Sequence, residues 1–502
     1  MSRRATVFAY VCLLLASPLQ MWGSISERAD IIVAQDSTGN FTTIQAAIDS
    51  VPASSTRTWI ILVKNGIYRE KLYITKNNVA LVGEDRDSTR IVYPELRRLW
   101  RAAHNSSDWG AAVINVGRSL RDLTLANLTI YNNYGSLYGD HDHQFAIRGG
   151  GSTTRIAIIN CNILADGGDT LSLWNTTSGM YYHANCGFMG YVDYVCPRGW
   201  CYITDSRFYG YNTTASIWHD GTSDSTAKFV IRSSYFDGVP GFPLGRNHKD
   251  AQFYLLDCQF SGNMADKPIY QADVTAGYKW GMRYFYSGCH RENGDYAWFK
   301  DNLDSAYGGA VKKEQVTAFW TFGGRWDPER TIPRILTSAS IPTPQNNAKN
   351  VLINGRDSLR WIGGRNAVSY RVYLGTSDPP TPVASQNETY YLLPAHIAPN
   401  TTFYWRVDVV TDADTISGPP WKFTTGELPR MKGSPLKGHD LNLKGADPFD
   451  SGTDYRGCVC GTAHLNMKVH DLPVIETPLP TDEKLMSGRI SLRFSMQPSI
   501  NF

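Results

Sequence analysis

Six stretches of this chain repeat one pattern, in which an apolar run is broken by a single polar residue before a second, shorter apolar run. They are "LTLANLTIYN", "IAIINCNILAD", "YYHANCGFMG", "CYITDSRFYG", "FVIRSSYFDG" and "FYLLDCQFSG". Their polar markers are Asn127, Asn160, Asn185, Asp205, Ser233 and Asp257, separated by 33, 25, 20, 28 and 24 residues. A period of this size suits the coils of a parallel β-solenoid, in which each coil carries short strands and stacking sets like positions above one another. Leucine-rich repeats have similar periods, but their Leu/Asn pattern is missing. A sandwich would need hairpin turns that this region lacks.

Register on such a solenoid gathers polar residues into a column. Asp169, in "GGDTLSLW", lies nine residues after Asn160, and Asp193, in "MGYVDYVCPRG", lies eight after Asn185. Gln144 lies 17 after Asn127, and a loop insertion around "SLYGDHDH" brings it to the same offset. Neighbouring strands lie about 4.7–4.9 Å apart, so Gln144, Asp169 and Asp193 are expected to share one face. Two carboxylates that close cannot both ionise freely, so one pKa should rise and separate an acid from a base. The Asn127, Asn160 and Asn185 column reads instead as a hydrogen-bonding ladder. Apolar strand residues around a like-charged pair favour chemistry at the aspartates.

The rest of the sequence bounds the setting. With 502 residues and 42% hydrophobic content the chain can bury a large core and carry an accessory domain. Arg3 and Arg4 precede the apolar run "VFAYVCLLLA", which predicts a signal peptide over residues 1–24 and secretion. No later run is long and apolar enough to span a bilayer, so a soluble mature chain is expected. The formal net charge of +3, or +1 without the first segment, gives no reason to expect nucleic acid as a partner. Eight cysteines remain after Cys12 is removed: Cys161, Cys186, Cys196, Cys201, Cys258, Cys289, Cys458 and Cys460. Disulfides are permitted but cannot be assigned, and the spacing argues against zinc. Sequons begin at Asn40, Asn105, Asn127, Asn175, Asn212, Asn387 and Asn400. His141 and His143, in "GDHDHQ", admit a metal or acid–base reading, but a solvated loop is the preferred account.

At the column residues the chain resembles the pectin methylesterases, a carbohydrate esterase family built on a right-handed parallel β-helix. The resemblance runs over about residues 30–330. "GNFTTIQAAIDSVP" is similar to the family's N-terminal motif and "GIYREKL" to its G-x-Y-x-E segment. "QFAIRG" resembles Q-A-V-A-L, "GDTL" resembles Q-D-T-L, "VDYVCPRG" resembles D-F-I-F-G and "PLGR" resembles L-G-R-P-W. The resemblance implies that Asp193 is the nucleophile, that Asp169 is the general acid and then base, and that Gln144 donates to the oxyanion. Arg246 would orient Asp193 and hold it ionised. It implies no metal or organic cofactor, and a pectin-like polysaccharide as the partner. The family's Gln before the first Asp is here Gly168, its Trp after L-G-R is His248, Asn247 stands where Pro is expected, and Cys196-Pro197 replaces Phe-Gly. His248, Trp174, His219 and Trp298 are the candidate sugar-contacting residues.

After "TSASIPTPQNNAKN" the pattern changes to alternating strands between Pro/Gly/Asn turns, which indicates a small β-sandwich. It resembles a fibronectin type III domain, with Tyr404 as a candidate corner tyrosine. The expected organisation is a β-helix catalytic domain over 28–335, this domain over 341–426 and a disordered tail over 427–502. A monomeric, secreted ester hydrolase acting on pectin is the preferred reading. A glycoside hydrolase on an acidic polysaccharide stays open, because paired carboxylates about 5–5.5 Å apart also suit retaining chemistry. So does a non-catalytic carbohydrate-binding homologue. A pectate lyase would need acidic calcium ligands, and no such cluster stands out.

Overall fold

The marker residues of the repeat are corners. Asn127, Asn160, Asn185, Asp205, Ser233 and Asp257 all have left-handed backbones, with φ between 47° and 53°. Asn and Asp reach that region at lower cost than other residues with a Cβ, which is why they recur where the chain must bend between two strands. The computed structural model describes residues 29–426, apart from 105, 223, 278, 307, 352, 354–356 and 395–396. The expected signal peptide and the tail, with Cys12, Cys458 and Cys460, lie outside the described residues.

Among the described residues the chain coils through three parallel sheets of ten, nine and eight strands. One coil shows the order: strand Thr154–Ile159 in the first sheet, the Asn160 corner, Asn162–Ala165 in the second and Leu171–Leu173 in the third. Met180–Ala184 then begins the next coil, paired in parallel with Thr154–Ile159. This is a parallel β-helix. The asparagine ladder forms as expected, with Asn160 donating to Asn127 Oδ1 at 2.7 Å and Asn185 donating to Asn160 Oδ1 at 3.0 Å.

Stacking fills the interior with like on like. Phe188, Phe208, Phe236 and Phe260 form a continuous ring stack with centroids 5.1, 4.1 and 5.3 Å apart. Burying each such ring contributes about 1.5–3 kcal/mol. One position after the corners, Cys161, Cys186, Ser206, Ser234, Cys258 and Cys289 line a second internal column. Their S–H and O–H groups donate to nearby carbonyls, as Cys161 Sγ does to Ile159 O at 3.3 Å and Ser206 Oγ to Thr204 O at 2.8 Å. The six described cysteines are free and buried, so none of the permitted disulfides forms among them.

Beyond the last coil, short helices at Ala318–Thr321 and Pro328–Thr331 return across the outer face of the first sheet, where Trp200, Tyr202 and Tyr254 pack beneath them. That cover leaves the second and third sheets as outward faces. From Ser340 onward two further sheets share a core of Leu359, Trp361, Val372, Trp405, Val407 and Phe423. The Tyr404 hydroxyl makes no hydrogen bond to a described residue. No described helix is long and apolar enough to cross a membrane.

Burial also sorts the sequons. Asn175 is 1% exposed, and its side-chain amide donates to Thr153 O at 2.9 Å and to Ser178 Oγ at 3.1 Å. A glycan there would break both bonds and unseat the turn, so Asn175 is expected to be unmodified even when exposed sequons such as Asn40 and Asn387 are occupied. Peptide mass spectrometry after enzymatic deglycosylation in oxygen-18 water checks this, since occupied sites convert to labelled Asp.

Candidate active site

The site is built at the corner where the second sheet hands over to the third. Asp169 and Asp193 each stand two residues before a third-sheet strand, and Leu171 pairs with Val195 across those strands. Both aspartates are left-handed, with φ of 59° and 54°. The backbone stacks them on successive rungs, since Asp169 N donates to Val192 O at 3.0 Å and Asp193 N to Ala215 O at 2.9 Å. Gln144 takes the rung before, its N donating to Gly168 O at 3.0 Å. The amides of Ala146 and Ile147 both reach Thr170 O, at 2.8 and 3.1 Å, so this coil absorbs one extra residue as a bulge. The expected insertion is the short helix Tyr134–Tyr138 with the loop that follows it.

The two carboxyls have different partners. Arg246, from strand Gly245–Asn247, grips Asp193 through both oxygens, with Nε to Oδ1 at 3.1 Å and Nη2 to Oδ2 at 2.7 Å. The Asp169 carboxyl takes no hydrogen bond from a described residue. Burial raises the pKa of both above the usual carboxylate range. The sequence argument expected one to rise; both do, because loss of water acts on each before their mutual repulsion is added. For Asp193, the Arg246 hydrogen bonds and charge oppose burial, while Asp169 adds to it. For Asp169 the opposing charges are Arg198, His143, Arg97 and Arg148, none of them hydrogen-bonded to it. When the pair holds a single proton it therefore resides on Asp169, and Asp193 carries the negative charge.

The other expected site residues divide by where their strands point them. Gln144 shares the column only through its backbone. Its side chain is 0% exposed, its amide donates to Asp140 O at 2.7 Å and Asp166 O at 3.3 Å, and its Oε1 accepts from Gly135 N at 3.1 Å. One amide hydrogen thus holds the inserted loop and the other the following coil, and the expected oxyanion role finds no free donor. His219 is also corrected from the sugar-contacting set. In strand Ile217–His219 only the middle residue points outward, and His219 lies buried against Phe229 and Phe253. Its Nε2 donates to Gly199 O at 3.2 Å and its Nδ1 accepts from Gly221 N at 2.9 Å, while burial drives its pKa down to about 4. Trp298 packs on Tyr286, Tyr296 and Phe299 at the last coil, with its Nε1 on Asp266, and has no recorded contact with either aspartate.

Trp174 and His248 do lie on the outward face. Trp174 is 36% exposed, and His248 sits edge-on to Trp218 at 4.2 Å. His143 Nδ1 pairs with Asp142 Oδ1 at 2.7 Å, and a Cβ built on Gly168 would lie 3.9 Å from the His143 ring. His141 stacks on Tyr191 at 4.6 Å, with its Nδ1 2.6 Å from Asp166 O. Among the described residues no cluster of acids, His and Cys could hold a metal ion.

Two residues of this face escaped the sequence argument. Trp218 stacks on the Arg246 guanidinium at 4.9 Å, and Arg198 lies buried across the strands that follow the two aspartates. Strand parity could have found both, since Trp218 sits between the inward Ile217 and His219, and Arg198 is two residues past the outward Cys196.

The comparison with known proteins bears on this corner directly. Residues 30–216 match the Pectinesterase family model. The matched segment includes Gln144, Asp169, Asp193 and Arg198 and stops short of Arg246. Pectinesterase 1 of Citrus sinensis is 32% identical over 175 residues, 34% of this chain and 27% of that protein. The probable pectinesterase 56 of Arabidopsis thaliana is 30% identical over 187 residues, 37% of this chain and 58% of that protein. The chain therefore spans only about a quarter to three-fifths of these two relatives. Among solved structures, the pectin methylesterase PemA from Erwinia chrysanthemi aligns with 60% of this chain and 98% of its own, at 20% identity and a TM-score of 0.49.

Proposed function

We propose that this chain is a carboxylic ester hydrolase that removes methyl esters from a pectin-like polysaccharide, and that it is secreted. The observation that carries the reading is the asymmetry of the acid pair. Asp193 is clamped through both oxygens by Arg246, whose charge opposes the effect of burial, and Asp169, one coil before it, is raised by burial and takes no hydrogen bond from a described residue.

Asp193 attacks the ester carbonyl and Asp169 gives its proton to the departing methoxide, so that methanol leaves and an acyl-enzyme anhydride remains. Asp169, now ionised, takes a proton from water. The resulting hydroxide attacks the acyl carbon and expels the Asp193 carboxylate, which regenerates both aspartates, and the polysaccharide carboxylic acid so formed loses its proton to solvent. Arg246 keeps Asp193 the better base of the pair before attack and steadies it as the leaving carboxylate in the second step. Trp218 holds Arg246 against the sheet. The N-terminal apolar run supports secretion, and the two C-terminal sheets with their common core support a fibronectin type III-like sandwich.

A methanol-release assay on highly methylated pectin tests the proposal. The expected result is methanol formed in step with new carboxylate and without new reducing ends. New reducing ends without methanol would make the chain a glycoside hydrolase, and binding without turnover would leave it a carbohydrate-binding protein.

A further inference from the structure

Attack on an ester places a full negative charge on the carbonyl oxygen, and a site that leaves this charge unmet forfeits most of its rate. Two side-chain amides could have met it here, and neither can. The Gln144 amide has both hydrogens on backbone carbonyls, and position 168 is a glycine.

A guanidinium lies on the same sheet face, over the strands that follow the two aspartates. Ser172 pairs with Cys196 across the third-sheet strands that follow Asp169 and Asp193, and both are small, buried outward residues. Arg198 fills the space above them. Its Nη1 donates to Ser172 Oγ at 3.1 Å and to Cys196 O at 3.3 Å, and its Cζ lies 3.7 Å from the centre of the Trp174 ring. Arg148 stacks on the same indole at 4.6 Å. Asp220 holds Arg198 through Nε alone. The side chain is 4% exposed, so little water screens it. Nη2 has no acceptor among the described residues. Its charge reaches both carboxyls of the pair, and it is the largest of the charges that favour ionised Asp169.

We propose that Arg198 is a catalytic residue, its free Nη2 edge donating to the ester carbonyl oxygen as Asp193 attacks. The inference rests on the ester-hydrolase reading and assigns the charge-stabilising group that reading leaves unfilled. Because the guanidinium is fixed before substrate arrives by Asp220, Ser172 and Trp174, it needs no reorganisation as the oxyanion forms. The ester is neutral in the ground state, so the contact strengthens only along the reaction, and its loss belongs in kcat rather than KM.

The experiment uses the full chain and methylated pectin, with kcat and KM measured for the wild type, R198Q, R198K and R198Q/D220N. R198Q is expected to lose 10²–10³-fold in kcat with KM within about threefold, and R198K, which keeps the charge, to recover at least about tenfold over R198Q. R198Q/D220N removes both partners of the buried ion pair. It is expected to melt close to the wild type while keeping the R198Q loss, so it replaces R198Q in the argument if the single variant misfolds. A kcat within threefold of the wild type in these glutamine variants, a loss confined to KM, or an R198K no better than R198Q would overturn the role. If the wild type releases no methanol, the ester-hydrolase reading falls and Arg198's role with it.

Discussion

Asp193→Asn lowers kcat for methanol release by about 10³-fold or more while the protein stays folded. The substitution keeps the shape and a hydrogen-bond acceptor for Arg246, whose own side chain is only partly buried, so the melting temperature should move by a few degrees at most. What it removes is the nucleophile. Asp169→Asn costs about 10²–10⁴-fold for a different reason, the loss of the proton that methoxide needs and of the base that water needs. The two variants separate in their pH profiles. In the wild type the acid limb reports ionisation of Asp193 and the alkaline limb reports loss of the Asp169 proton, so kcat/KM is bell-shaped. Both carboxyls are raised, so both limbs lie to the alkaline side of where free carboxylates would put them. The residual activity of Asp169→Asn should lack the alkaline limb. Steady-state methanol formation between pH 4 and 9 checks this, and an alkaline limb that survives the substitution would mean that Asp169 is not the acid.

The coils were legible because their physics is local and periodic. A left-handed corner selects Asn or Asp, short apolar runs flank it, and the repeat shows where the corners fall even though identity between coils is low. The acid pair was legible for the same reason, since a constant offset from the corner fixes the face once the strands are in register. Gln144 shows where this stops. Its backbone obeys the register, but its side chain answers to the helix Tyr134–Tyr138 inserted beside it, whose packing no offset encodes. Arg246 lies two coils beyond Asp193, and only its resemblance to a known motif singled it out. Arg198 had no such help. Its significance comes from Trp174 on the coil before and Asp220 on the coil after, and those neighbours meet only when three coils are stacked. His219 and Trp174 looked alike in sequence, yet strand parity turns one inward and the other out.

A second large effect concerns the core instead of the site. His183, in strand Met180–Ala184, stands in register between Ile158 and Ile203 inside the helix and is 0% exposed. Neither ring nitrogen makes a well-formed hydrogen bond. Burial drives its pKa down to about 3, and the Tyr182 backbone offsets only part of that. In the unfolded chain His183 returns to about 6.5, so between those values the unfolded state binds a proton that the folded state refuses. Stability is therefore fully present above about pH 6.5 and is lost as pH falls toward 3, by about 1.4 kcal/mol per pH unit. Asp169, Asp193 and Asp205, the last pushed up to about 6, act with the opposite sign, since their folded forms take up protons first. That contribution is common to the wild type and to His183→Leu, so the difference between the two proteins isolates the histidine. The leucine variant should be the more stable at pH 7, because it buries no unpaired nitrogen, and its advantage should grow by about 3 kcal/mol between pH 7 and pH 4. Urea unfolding of both proteins at the two pH values measures this, and an advantage that stays constant would mean that His183 is solvated or paired in the folded chain.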